Sequence, residues 1–278
     1  MAQDTNKMES YSKIVDAKLR ANSVFAAIFN QRHDGAGTAG AVKIPVRTEA
    51  TAGAYVTATG LAISNPATTY QTLVLDNDYA VNELIDGFMA EAVPDGMVAE
   101  RLDSAGYALA NVVDAALAAD LIAHGTASSD TTALTKSNVY EKIVTDVATV
   151  KKAKVDPAKL WIAVTSDTYA KLIQSPEFVA ATANVGELGA GYMGRLAGIP
   201  VYEAINLNGL TTGSGSSAKA VDYVVGNSDF CHFVDAWNVP VGVYDLADGA
   251  HIGCSAVQGR KAFGYKITQA TSVIYHNA

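Results

Sequence analysis

Four groups of residues could do chemistry. Gly189, Gly191 and Gly194 stand in "GAGYMGRLAGIPVY" at the G-x-G-x-x-G spacing of a dinucleotide cradle. Cys231, His232, His251 and Cys254 offer the ligand types that zinc accepts. The stretch Asp76 to Gly87, "DNDYAVNELIDG", starts like a calcium loop. Lys151, Lys152 and Lys154 could meet a phosphate.

Each group fails a test of context. A dinucleotide cradle needs a strand before it, a helix after it and an acid about 20 residues further on. "QSPEFVAATANVGEL" holds no strand-like apolar run, Gly198 and Pro200 stop any helix, and "TTGSGSSA" has no acid. The glycines read instead as a loop feeding a turn at Gly198-Ile199-Pro200, then a strand "VYEA". Cys231 and His232 are neighbours in an apparent strand and point to opposite faces; His251 and Cys254, three apart, also split faces. Core cysteines and surface histidines are the expectation. In the calcium pattern Ala80 replaces an acid, Val81 the glycine and Gly87 the closing glutamate, which leaves acids at a strand end. The lysines fall at a helix C-terminus, where cations favour the macrodipole. No G-x-S-x-G elbow, Walker loop or H-E-x-x-H is present. No catalytic, cofactor-binding or metal residue is assigned, no cofactor is expected, and the chain is not read as an enzyme.

The bulk numbers set the frame. The chain has 278 residues, 49% hydrophobic and 17% charged, with net charge −8. That is enough to bury a large core. The acidic balance argues against broad nucleic-acid binding, which needs a Lys/Arg excess, but not against enclosing DNA. "MAQDTNKMES" is polar and carries no secretory signal. Asp114 and Asp120 interrupt the richest apolar window, so no membrane span is expected. Two cysteines make no disulfide framework, and a reducing cytoplasm is the default compartment.

The elements that must position any site follow from periodicity. Met8, Tyr11, Val15 and Leu19 recur at helical spacing in an N-terminal arm. "HDGAGTAG" breaks it, and "VKIPVRT" alternates like a strand, with Pro45 marking an edge. No charged residue occurs from Ala50 to Leu75, which reads as two long strands joined by a loop. Pro94 to His124 is a helix on the order of 40 Å long, with the stripe Val98, Leu102, Ala105, Leu109, Val112 and Ala116 and a C′ glycine at Gly125. A second helix runs from about Asn138 to Lys154, capped by Ser137 or Asn138. Its apolar face is Tyr140, Ile143, Val144, Val147 and Val150. "KLWIAVT" is a buried strand, "SDTYAKLIQS" a short helix, and "NGLTTGSGSSAKA" a surface loop. "VDYVVGN", "CHFVDA", "VPVGVYDL" and "FGYKITQATSVIYH" are strands. The order points to α+β.

This order, with "KLWIAVTSDTYAKLIQS" and "GRLAGIPVYEA", resembles the major capsid proteins of tailed bacteriophages. The resemblance runs from about Val24 to Tyr275. It implies an arm at 1–40, an extended loop at 41–80, and a peripheral domain with its spine helix at 81–129. An axial domain would follow at 130–228, and 229–278 would return as strands to the peripheral domain. The implied role is a non-enzymatic coat protein that self-assembles, as pentamers and hexamers, into an icosahedral shell around double-stranded DNA. The virion is its place, after assembly in the host cytoplasm. Implied partners are copies of itself, a separate scaffolding protein and a portal, with room for decoration proteins; DNA is enclosed without sequence-specific binding, and no membrane is involved. Some members cross-link a lysine of the extended loop; Ala50 to Leu75 has none, so that chemistry is not expected. Some remove a long N-terminal scaffolding segment; the chain begins at Met1, so a separate scaffold, or none, is the expectation. Candidate intersubunit residues are Met8, Tyr11, Val15 and Leu19 in the arm, and Tyr55, Val56, Leu61, Ile63 and Tyr70 in the loop. An encapsulin-type compartment shares this fold and stays open as an alternative, as does an uncharacterised cytoplasmic enzyme.

Overall fold

The computed structural model describes residues 23–33, 40–47, 50–63, 65, 67–87, 97–175, 178–180, 192–215, 218–246 and 249–278. The stripe Met8, Tyr11, Val15 and Leu19 lies outside the described residues, as do Gly189 and Gly191. In chain order the elements begin with α1 (Phe25–Ile28), β1 (Ala41–Arg47), β2 (Thr68–Val74), β3 (Asn77–Asp86), α2 (Met97–His124) and β4 (Thr126–Ala127). The centre holds α3 (Val139–Lys152), β5 (Leu160–Val164), α4 (Ser166–Ile173), β6 (Val179–Ala180), β7 (Tyr192–Leu196) and β8 (Ile199–Glu203). The last part holds β9 (Thr211–Thr212), β10 (Lys219–Asn227), β11 (Cys231–Asp245), β12 (Cys254–Ile267) and β13 (Val273–Asn277).

Three sheets result. The largest runs β4-β13-β10-β5-β8-β7-β6, with β9 beside β10; β11-β12-β3 form a second, and β1-β2 a third. Every residue of β5 is buried, because the large sheet is covered on both faces. Trp161 and Ala163 face one core with Phe25, Leu117, Leu121 and Tyr202. Leu160, Ile162 and Val164 alternate into another with Ile143, Val147 and Leu172. The helix α3 uses the stripe read from the sequence: Ile143, Val147 and Val150 are buried, and Tyr140 and Val144 pack partly against them. Its entry differs. Asn138 makes no side-chain cap; its Oδ1 accepts from Thr135 N–H at 2.7 Å and its Nδ2 donates to Ala133 O at 3.1 Å, ordering the preceding loop instead.

The long helix α2 has 28 residues and joins two cores. Ala105 lies in a cluster with Ile85 and Val257 of the three-stranded sheet, flanked by Val98 and Leu102. Val113, Leu117 and Leu121 lie in the core under the large sheet. The buried stripe therefore follows steps of four from Leu109 onward, and Val112 and Ala116 sit only half-buried beside it. By length and composition this helix could cross a membrane, but its apolarity serves these two cores. Of its four acids, Asp114 and Asp120 are buried. Gly125 follows without a left-handed φ. What demands glycine there is contact: a Cβ would stand 2.3 Å from Leu121 O.

Other strand boundaries move for local reasons. "CHFVDA" and "VPVGVYDL" are one 15-residue strand, β11. Its register is irregular at Asp235/Trp237 and again at Val239/Gly242, the second spanning Pro240, which cannot donate to a ladder. "FGYKITQATSVIYH" is divided between β12 and β13 by the turn Ala270–Ser272. The final strand β13 pairs with β10 in the large sheet, whereas β11 and β12 build the smaller one.

Candidate assembly surface

The uncharged segment forms the outer part of a hairpin, with a correction to its first strand. β1 (Ala41–Arg47) pairs antiparallel with β2 (Thr68–Val74), from Ala41 opposite Val74 to Arg47 opposite Thr68. The described residues between Ala50 and Ala67 add no regular strand, only one bridge between Val56 and Gly60. A tight turn makes that bridge: Gly60 N–H donates to Val56 O at 2.7 Å, with Gly60 at φ 69°. Dense small residues and Thr, without a partner strand long enough to pair, explain why the tip is loop.

The root of the hairpin is bound to the body. Val42, Ile44 and Leu73 are buried with Val234 of β11. Gln71 Nε2 donates to Thr268 O at 2.9 Å, and Leu75 N–H to Gly40 O at 3.0 Å. From Pro45 and its partner Tyr70 outward the described side chains of the ribbon are exposed. Tyr55 is 72% exposed, Val56 52%, Leu61 53%, Ile63 100% and Tyr70 64%. These five side chains are thus brought to one hairpin and left largely exposed among the described residues. Pro45 lies on the outer strand of this two-stranded ribbon, where a missing N–H blunts an open edge.

The groups weighed for chemistry resolve as structure. Gly194 sits inside β7 opposite Val201, and Ala197 (φ 50°) with Gly198 (φ 83°) makes a two-residue hairpin turn. No helix starts there, and Ile199 and Pro200 already belong to β8. Among the described residues no group of three or more His, Cys, Asp or Glu is placed to hold a metal ion. His232 is no surface histidine; it is buried in β11 beside buried Cys231. Burial, then His33 and Arg32, pulls the His232 pKa down to about 4. Burial, with Asp120 adding to it, pushes the Cys231 thiol up. Of the calcium-like acids, Asp76 stands just before β3, Asp78 and Asp86 at its two ends and Glu83 within it, and Asp78 accepts from Arg260 Nε at 2.8 Å across to β12. That hydrogen bond holds the Asp78 carboxyl below its ordinary value. Lys151 and Lys152 close α3, and Lys154 at φ 61° donates its N–H to Lys151 O.

Sequence reasoning passed over the buried acids. Asp146 accepts from Ser128 Oγ at 2.9 Å and Tyr223 Oη at 2.7 Å. Burial, then Asp146, pushes the Tyr223 hydroxyl pKa far up. Asp120 meets His124 Nδ1 at 2.6 Å, and burial raises its pKa despite that contact. The available signal was an acid set inside an apolar helix stripe, which is tolerable only when bonded.

No family model and no curated protein matches the chain. Solved structures do. A chain from Mycobacterium phage Che8 shares 20% identity at a TM-score of 0.77, covering 99% of this chain and 98% of that one. A chain in the capsid of cyanophage P-SCSP1u shares 13% at 0.74, covering 100% and 96%. A chain in the mature capsid of bacteriophage PhiM1 shares 14% at 0.69, covering 98% and 91%. The fold is that of tailed-phage major capsid proteins. The matches run along nearly the full length of each chain, and the long helix α2 is hereafter called the spine.

Proposed function

We propose that the protein is a structural shell subunit, which self-associates by heterologous contacts into the closed capsid of a phage virion around double-stranded DNA. On this reading residues 1–40 are the arm, 41–80 the extended loop and 81–129 the peripheral part with its spine. Residues 130–228 are the axial part, and 229–278 return as strands to the peripheral part, except that β13 joins the large sheet. The observation that carries the reading is the hairpin: a buried root, and a tip whose apolar side chains stay largely exposed among the described residues, on a capsid fold. Burying Tyr55, Val56, Leu61, Ile63 and Tyr70 against neighbours would contribute ~5–10 kcal/mol gross per subunit, less ordering and association costs. The fold supports a container, and no arrangement of side chains in the described residues favours a reaction.

The test replaces Gly53 to Pro66 with an Asn-Gly turn. The variant should keep a native circular dichroism spectrum yet stay as small species on a sizing column, while the unaltered protein forms particles under the electron microscope. Normal shells from the variant would sink the assembly role of the tip. The contents of purified particles separate the two kinds of container: duplex DNA for a capsid, a packaged enzyme for an encapsulin.

A further inference from the structure

Within the arm, Ser23–Phe25 are tied to the body at one buried carboxylate. Asp114, on the spine, is fully buried. Its Oδ1 accepts from the backbone N–H of Val24 at 2.8 Å and of Phe25 at 2.7 Å, and from Ser23 Oγ at 3.1 Å. Its Oδ2 accepts from Asn206 Nδ2 at 2.8 Å, in the turn between β8 and β9. The short helix α1 has no side-chain cap of its own; its first N–H groups are served by an acid 89 and 90 residues away in sequence. Downstream, Asn30 N–H donates to Cys231 O at 2.8 Å and Asn30 O accepts from Phe233 N–H at 3.0 Å, so the same segment reaches β11. Arg32 then pairs with Asp229.

An apolar side chain would suit this helix better if packing were the sole requirement, because a buried carboxylate is costly unless its oxygens are bonded. Here both oxygens are used, and by two different parts of the chain. Hydrogen bonds to a charge are directional, whereas apolar contacts slide. Few placements of Ser23–Phe25 and of the Asn206 turn can satisfy one carboxylate together.

We propose that Asp114 is a positioning residue for assembly: it fixes the root of the arm and the Asn206 turn to the spine in one relative placement, and so sets the geometry in which subunits meet. This deepens the shell reading and rests on it.

The experiment compares Asp114→Asn, Ser23→Ala and Asn206→Ala with Val147→Ala, a core truncation on the opposite face of the large sheet. Hydrogen exchange at the Val24 and Phe25 amides is read on isolated subunits, and particle diameter on assemblies started at equal folded concentration. Asp114→Asn should speed exchange at both amides by about tenfold or more and give open or mixed-diameter particles. Ser23→Ala and Asn206→Ala should shift both readouts the same way by less, and they carry the test if Asp114→Asn does not fold. Val147→Ala should lower the thermal midpoint yet give particles of normal diameter. Normal diameters from all three clamp variants would overturn the proposal, and so would equally aberrant particles from Val147→Ala. If the unaltered protein forms no particles, the shell reading falls and the positioning role with it. The exchange rates would then still show whether the clamp itself holds.

Discussion

Within one hairpin, Val42, Ile44 and Leu73 are buried against Val234, while Tyr55, Leu61 and Ile63 stand in solvent. The residue types are alike, and neither stretch from Val42 to Ile44 nor from Tyr55 to Ile63 is strongly polar. What differs is the surface available to cover them. The root has β11 beside it; the tip has only its own small residues. Apolar composition therefore does not mark a core by itself, and an uncovered apolar tip on a monomer points outward to other chains.

Root and tip can be set against each other by measuring unfolding of isolated subunits and yield of particles for the same variants. The largest effect on folding belongs to the root. Leu73→Ala should cost about 2–5 kcal/mol in urea unfolding through the cavity it leaves; a loss under 1 kcal/mol would break the contrast. Next comes acid. His232, beside the root, has its folded pKa lowered from 6.5 to about 4, so the unfolded chain binds the proton first as pH falls. Its contribution is fully present above pH ~6.5 and lost between there and pH ~4, up to ~3 kcal/mol. A His232→Asn variant should show a flatter pH dependence in that window; an identical slope would refute the assignment. Tyr223→Phe, in the core against α3, should cost ~1–3 kcal/mol by leaving Asp146 short of a donor, with calorimetry as the check. The smallest effect on folding is at the tip: Ile63→Ser should change subunit stability by no more than ~0.5 kcal/mol while lowering particle yield. Equal losses in both measurements would mean that the tip is ordinary core.

The sequence disclosed the elements with strong periodicity. The spine, α3, β5 and α4 were legible because each carries a regular apolar stripe or an unbroken apolar run. The join of two runs into β11 was not, since a proline in a strand reads as a stop unless a register irregularity absorbs it. The pairing of β1 with β2 across the tip was missed because the Ala/Thr/Val-rich tip has strand-like composition. Pairing depends on a partner, which propensity does not report. The clamp at Asp114 was read only as an interruption of an apolar window. Its partners lie about ninety residues away, beyond the reach of any local pattern.

A two-stranded ribbon has little stability of its own in water. Among the described residues the outer half of β1 and β2 pairs only with itself. If neighbours supply its cover, ordering of the ribbon and association are one equilibrium, linked by mass action. The thermal midpoint would then rise with protein concentration, the heat of assembly would include the heat of folding the ribbon, and dilution alone would loosen it before any part of the spine gave way.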